Sequence, residues 1–242
     1  MSDFRYHRPS NFPPVVKNLL IINVLVYVGQ LALANSYHLT ERFMLYPILP
    51  ARLKEILIAQ DSYGYGFHAF QLITHMFSHS PTLFVHILFN MFMLWMFGRV
   101  LENVWGPKRF LFFYIACGLG AAALHLAVQY FRAEQLLNAF LSGQPYQKYS
   151  GALDPALGAS GAIMGVMAAF AYLFPNTELM LMFIPVPIKA KWMVLGYVLI
   201  DLFAGLGAVS GDNTAHFAHL GGAITGFIIV FIWSKTNRRT LY

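Results

Sequence analysis

The chain has 242 residues, of which 58% are hydrophobic and 11% charged, and carries a formal net charge of +6. Soluble domains average about 25% charged residues, so this composition excludes a soluble enzyme. The Lys and Arg are scattered through short segments between apolar runs, which excludes a basic nucleic-acid-binding face and is the pattern of a polytopic membrane protein. One cysteine, Cys117, sits inside an apolar run, so there is no disulfide framework and no CxxC metal knuckle, and it reads as a small buried apolar residue.

A membrane-crossing helix needs about 20 mostly apolar residues, and six segments qualify: 16–35, 82–101, 109–131, 157–174, 191–209 and 215–234. The expected fold class is therefore all-α, a polytopic bundle of six spans, with 1–242 forming a single membrane domain. The first run follows Arg5, Arg8 and Lys17 and lacks a small-residue cleavage site, so it reads as a retained span with no soluble domain at either end. An even number of spans returns both termini to one side. Most of the sixteen Lys and Arg share that side: Arg5, Arg8, Lys17, Arg99, Lys108, Arg109, Lys189, Lys191, Lys235, Arg238 and Arg239. Arg42, Arg52, Lys54, Arg132 and Lys148 face the other. The positive-inside rule then places both termini in the cytoplasm.

The connections differ in character. The first outer one, 36–80, is too apolar for a solvated loop and is expected as short amphipathic helices on the membrane surface, broken by Pro47 and Pro50 and by the turn Tyr63-Gly64-Tyr65-Gly66. The second, 132–156, reads as an irregular loop feeding Gly158. Ile184–Lys189 reads as a tight inner turn and Ser210-Gly211-Asp212-Asn213 as a short outer one. No internal repeat is evident, which argues against an inverted-repeat transporter.

Polar side chains at membrane depth are costly and so mark functional sites. Span 4 opens on Gly158-Ala159-Ser160-Gly161, and Gly161 with Gly165 gives it a GxxxG face. Span 6 opens on His216 and His219, with Gly222 and Gly226 on the face of His219. Span 2 carries His86 and Asn90 one helical turn apart. Two glycine-faced helices running in the same direction pack closely, which brings Ser160 and His219 together. A hydroxyl beside a neutral imidazole, near the free N–H groups of a helix N-terminus, supplies the parts of an acyl-transfer site. Other polar groups have plainer readings. His75 and His79 have zinc-compatible i, i+4 spacing but no HExxH, and His86 with His216 would complete a rival zinc site. His125 and Asp201 read as interhelical hydrogen-bonding groups and stay outside the catalytic set.

These three motifs together resemble the rhomboid family of intramembrane serine proteases in its bacterial, six-span form: GxSG at Gly158–Gly161, HxxGxxxG at His219, Gly222 and Gly226, and HxxxN at His86 and Asn90. The resemblance implies that Ser160 is the nucleophile and His219 the general base, a dyad without an acidic third member. His86, Asn90 and the Ser160 N–H would line the oxyanion site, with no metal and no cofactor. Transmembrane protein substrates are the implied partners, cleaved near the outer face of a bilayer, with no nucleic acid and no stated oligomeric state. The implied location is a bacterial inner membrane. The alternative is an inactive relative that binds client membrane proteins. Phe70-Gln71 stands where many members carry Trp-Arg, which bears on how the first connection docks.

Overall fold

Helix α1 (Pro14–Tyr37) begins on a proline, whose preset φ and missing N–H suit a first helical turn. The N–H groups of Val15 and Val16 that this turn leaves without intrahelical acceptors donate to Glu102 Oε1 and Oε2 at 2.9 and 2.7 Å. A carboxylate buried at that depth is thus held by a helix N-terminus rather than by a cation. The computed structural model describes residues 9–62, 64–145, 147–181, 184–208 and 216–236. The expected turn at Ser210-Gly211-Asp212-Asn213 and the basic residues Arg5, Arg8, Arg238 and Arg239 lie outside the described residues.

The first connection forms three short helices, α2 (Leu39–Phe43), α3 (Ala51–Ala59) and α4 (Gln71–Thr74), followed by a 3-10 turn at His75–Phe77. Two buried glutamines tie it down. Gln71 Oε1 accepts from the N–H of His68 at 3.0 Å and of Tyr46 at 3.4 Å, while its Nε2 donates to the carbonyls of Gly66 at 3.2 Å and Arg42 at 3.4 Å. In α1, Gln30 Nε2 lies 2.8 Å from Thr40 Oγ1, 2.8 Å from Ser78 Oγ and 3.0 Å from the His79 carbonyl, and its Oε1 accepts from the His79 N–H. Gln71 therefore organises the connection from within, at the place where the sequence departs from the Trp-Arg pattern.

The next run is continuous from Phe84 to Trp105: α5 (Phe84–Met93), a π turn at Leu94–Gly98 and α6 (Arg99–Trp105). Helix α7 (Pro107–Leu141) follows and is 35 residues long. It corrects the expected loop from residue 132, because Ala133, Leu136 and Leu137 continue the helix and cover the apolar side of α3 at Leu53. No helix breaker intervenes before Gly143. Helix α8 (Ser160–Leu173) is followed by strands β1 (Glu178–Leu181) and β2 (Ile184–Lys189), then α9 (Ala190–Phe203), a π turn at Ala204–Ala208 and α10 (His216–Thr236). The hairpin corrects the expected tight turn at Ile184–Lys189: Glu178 pairs with Lys189, and Met180 with Pro187. Pro185 and Pro187 are tolerated because a two-stranded ribbon consists only of edges, where a missing N–H need not break a ladder.

The architecture is mostly helical, and four stretches are long and apolar enough to cross a membrane: Pro14–Leu33, Phe84–Trp105, Pro107–Leu141 and His216–Thr236. Helix α8 has 14 residues, about 21 Å at 1.5 Å per residue, short of a hydrocarbon core of about 30 Å, and α9 has 14, extended by its π turn to Ala208. Length alone therefore carries four crossings, and the expected six-span count depends on two shorter helices. Residues Gly161 through Ala171 of α8 are buried on every side, as befits a central helix apolar all round. The perimeter is the reverse: Leu25 on α1, Phe112 on α7 and Ile200 on α9 are each more than 60% exposed, which is stable only against lipid.

Two helices fix the centre. A Cβ at Gly222 of α10 would fall on the Gly161 carbonyl of α8, and one at Gly226 on the Gly165 backbone. Both partners advance by four residues together, so α8 and α10 run parallel with their backbones in contact. Cys117 and Ala121 of α7 fill the third side of this seam, against Gly165 and Gly161.

Candidate active site

Ser160 is the first residue of α8, so its N–H belongs to the first-turn donors that have no intrahelical acceptor. The turn before it is held in place by Gly158, whose N–H donates to the His75 carbonyl at 2.9 Å. Gly158 has φ +125°, a conformation side-chain-bearing residues rarely adopt. A Cβ there would also stand 2.9 Å from His86 Nε2 and 3.5 Å from Ser160 Oγ. Glycine at 158 thus lets an imidazole on α5 and a hydroxyl on α8 approach the same point.

The parallel seam sets the second contact. His219 sits three residues before Gly222 on α10, and the close approach places its Nε2 2.7 Å from Ser160 Oγ. Its Nδ1 lies 3.0 Å from Asp201 Oδ1 of α9, and His216 Nδ1 lies 2.7 Å from the same oxygen. A carboxylate oxygen only accepts. His219 Nδ1 must therefore carry the proton, which leaves the Nε2 lone pair facing the serine hydroxyl. That is the tautomer a general base requires.

The resemblance implies no acid behind His219, and the structure places one there. Asp201 is the site residue that spacing did not find. A signal for it exists in the sequence: an acidic side chain inside an apolar helix needs a partner, and the next helix begins with two histidines. His216, three residues away, faces the same carboxylate and not the serine.

On the α5 side, the Ser80 N–H donates to His86 Nδ1 at 3.3 Å. With Nδ1 accepting, the neutral ring carries its proton on Nε2, the atom nearest Gly158. Asn90 lines the same cavity, but its Nδ2 donates to the His86 carbonyl at 3.0 Å, so one amide proton is already used within its own helix. The structure brings Ser160, His219 and His86 together and leaves Asn90 as a wall with one amide proton spare.

His75 and His79 do not join this group. His75 Nδ1–H donates to the Gln71 carbonyl at 2.7 Å, and burial pushes its pKa down to about 4. Burial, reinforced by neighbouring His86, holds His79 at about 4 as well. Both rings are thus neutral at physiological pH. Neither ring nitrogen of His79 has a partner among the described residues, nor does Nε2 of His125 in α7. The rival zinc set of His75, His79, His86 and His216 is not assembled. Among the described residues the side chains grouped closely enough to hold a metal are Asp201, His216 and His219.

Ser160, His86, Asn90, Asp201 and His219 face a mostly apolar cavity of about 810 Å³, closed on one side by Tyr197 and Ile200 of α9 and on the other by Val85 and Phe89 of α5. Such a space admits an extended peptide segment and the water needed to hydrolyse it. The arrangement can activate a hydroxyl, bind a developing oxyanion and return a proton to a leaving group.

A family model described as Rhomboid domain matches residues 66–236. Rhomboid protein 1, mitochondrial, of Saccharomyces cerevisiae is 29% identical over 232 residues, covering 96% of this chain and 56% of the yeast protein. RHOMBOID-like protein 12, mitochondrial, of Arabidopsis thaliana is 32% identical over 187 residues, 77% of this chain and 52% of the plant protein. Presenilin-associated rhomboid-like protein A, mitochondrial, of Danio rerio is 29% identical over 170 residues, 68% of this chain and 39% of the fish protein. The chain spans about half the length of the curated relatives it matches. All three are mitochondrial by name, which overturns the expected bacterial inner membrane: residue spacing and charge asymmetry report helices and sidedness, not the compartment. About 71% of the chain lies inside the matched domain, and with the three motifs meeting at one cavity it belongs to the rhomboid family.

Proposed function

We propose that this chain is an intramembrane serine endopeptidase in which Ser160 is the nucleophile, His219 the general base and Asp201 the residue that orients His219. The observation that carries the reading is the line Asp201 Oδ1, His219 Nδ1, His219 Nε2, Ser160 Oγ, with successive contacts of 3.0 and 2.7 Å. Ser160 Oγ attacks a peptide carbonyl while its proton passes to His219 Nε2. The tetrahedral oxyanion then takes hydrogen bonds from the Ser160 N–H and from His86 Nε2–H, each worth about 2.7–4 kcal/mol when well aligned. The free amide proton of Asn90 is the third donor. His219 returns its proton to the departing amine, and a water activated by the same nitrogen releases the acyl group from Ser160.

The substrate class is a transmembrane segment of another membrane protein. The lipid-facing perimeter and the helical cavity walls on α5 and α9 support entry from the bilayer. The mitochondrial names of the relatives support a mitochondrial membrane as its location. A fluorophosphonate probe will label the wild-type chain and not Ser160→Ala. Labelling that persists in Ser160→Ala, or is absent from folded wild type, overturns the reading.

A further inference from the structure

Asp201 Oδ1 serves two imidazoles at once, that of His219, which contacts Ser160, and that of His216. His216 and Asp201 are both buried, and a side chain that is costly at this depth needs a reason to be there. Together the three form a two-histidine, one-carboxylate set on two facing helices. One ligand atom from each of the three lies within 4.8 Å of the others.

The spacing fits zinc. With Zn–N of about 2.0–2.1 Å and Zn–O of about 2.0–2.2 Å, ligands at the corners of a tetrahedron stand about 3.3 Å apart. The two Nδ1 to Oδ1 distances of 2.7 and 3.0 Å would open by about 0.3–0.6 Å to admit the ion, and the separation between the two histidine ligands, within 4.8 Å, would close toward the same value. Three protein ligands leave the fourth corner for water, and Asp201 and His219 both border the cavity, which supplies an entry path.

We propose that Asp201, His216 and His219 form a zinc site that reversibly shuts off the hydrolytic centre. Metal on Nδ1 displaces the proton that His219 shares with Asp201, and the neutral ring must then carry its proton on Nε2. Nε2–H points at Ser160 Oγ as a donor, so the hydroxyl proton has no acceptor and attack stops. His216 undergoes the same tautomeric exchange, and no proton leaves the site. Ser160 Oγ becomes the outer-shell acceptor that steadies the metal-bound imidazole. The same atoms that orient the base therefore hold the ion, and the two states exclude each other.

The inhibitory half rests on the protease reading, whereas the binding half does not. The purified wild-type chain carries all three ligands and the Ser160 hydroxyl, and titration with Co²⁺ should give a ligand-field absorption band at one ion per chain that Zn²⁺ removes. Losing an outer-shell partner alone typically costs 10- to 100-fold in metal affinity, so loss of a ligand in His216→Gln or Asp201→Asn should weaken cobalt binding at least about 10-fold. Thermal melts confirm that each variant is folded. In the second arm, the rate of fluorophosphonate labelling of Ser160 in the wild type should fall at least about 10-fold in saturating Zn²⁺ and recover with a chelator. In His216→Gln the ratio of rates with and without the same Zn²⁺ should stay near one, whatever its basal rate. No cobalt band in the folded wild type, or a band unchanged in both ligand variants, overturns the site. Binding that leaves wild-type labelling unchanged or faster overturns the inhibition. A folded wild type inert to the probe in metal-free buffer refutes the protease reading instead, and the cobalt band still decides the metal site.

Discussion

Two groups of histidines flank Ser160, and they are built differently. On the α5 side, His75, His79 and His86 have no carboxylate behind them: His75 donates to a backbone carbonyl, His86 accepts from a backbone N–H, and His79 has no partner for either ring nitrogen among the described residues. On the α10 side, His216 and His219 share one Asp201 oxygen. The same residue type at similar depth is thus set for two tasks. A ring without a carboxylate stays neutral and can offer Nε2–H to an oxyanion. A ring with a carboxylate on Nδ1 presents a lone pair and can carry the positive charge that arrives when it takes a proton.

The seam between α8 and α10 keeps the two sides in reach of one serine, so breaking it should have the largest effect. Gly222→Ala puts a methyl group on the Gly161 carbonyl. Separation of the helices should abolish probe labelling and lower the melting temperature of the detergent-solubilised protein, both read in one labelling and melting series. His86→Ala removes one oxyanion donor and should lower kcat about 10²- to 10³-fold with KM little changed, measured on a cleavable transmembrane peptide. Asp201→Asn keeps the shape but lets the amide donate to Nδ1, which turns the imidazole to the wrong tautomer. Cleavage should fall, and equal cleavage by Asp201→Asn and wild type would reduce the α10 side to a plain dyad.

The smallest effect separates the sides by pH. His75 and His79 have folded pKa values of about 4, against about 6.5 for an unfolded histidine. Above about pH 6.5 both states are neutral there and the pair contributes no pH dependence. Between about 6.5 and 4 the unfolded chain takes up protons that the folded chain refuses, so stability falls as pH falls. The melting temperature should drop from pH 7.5 to pH 5, and His79→Leu should shallow that drop.

Much of the site was legible because its residues recur at helical spacing. Ser160 with Gly161 and Gly165, His219 with Gly222 and Gly226, and His86 with Asn90 each form a face, and parallel glycine faces predict contact. Asp201 has no spacing partner on its own helix and acts across to α10, so only the cost of an isolated acid among apolar residues pointed to it. Asn90 was readable as a polar wall but not as a side chain turned toward its own helix at the His86 carbonyl, since rotamer choice leaves no trace in spacing. The extension of α7 was hidden because charged residues from Arg132 onward resemble a loop, although Ala133, Leu136 and Leu137 continue the helical face that covers α3. The β1–β2 hairpin was hidden by Pro185 and Pro187, which signal a turn as readily as an edge strand. Helix length carried least: α8 is too short to cross alone, and its burial depends on neighbours that no local window contains.

The central claim is that His219, held by Asp201, activates Ser160. The most direct measurement is peptide mass spectrometry of the purified chain after fluorophosphonate treatment, with the rate of adduct formation followed in wild type and His219→Gln. The account predicts an adduct on Ser160 that forms in the wild type and falls below detection in folded His219→Gln. An adduct on another residue, or one on Ser160 that forms equally fast without His219, would contradict it.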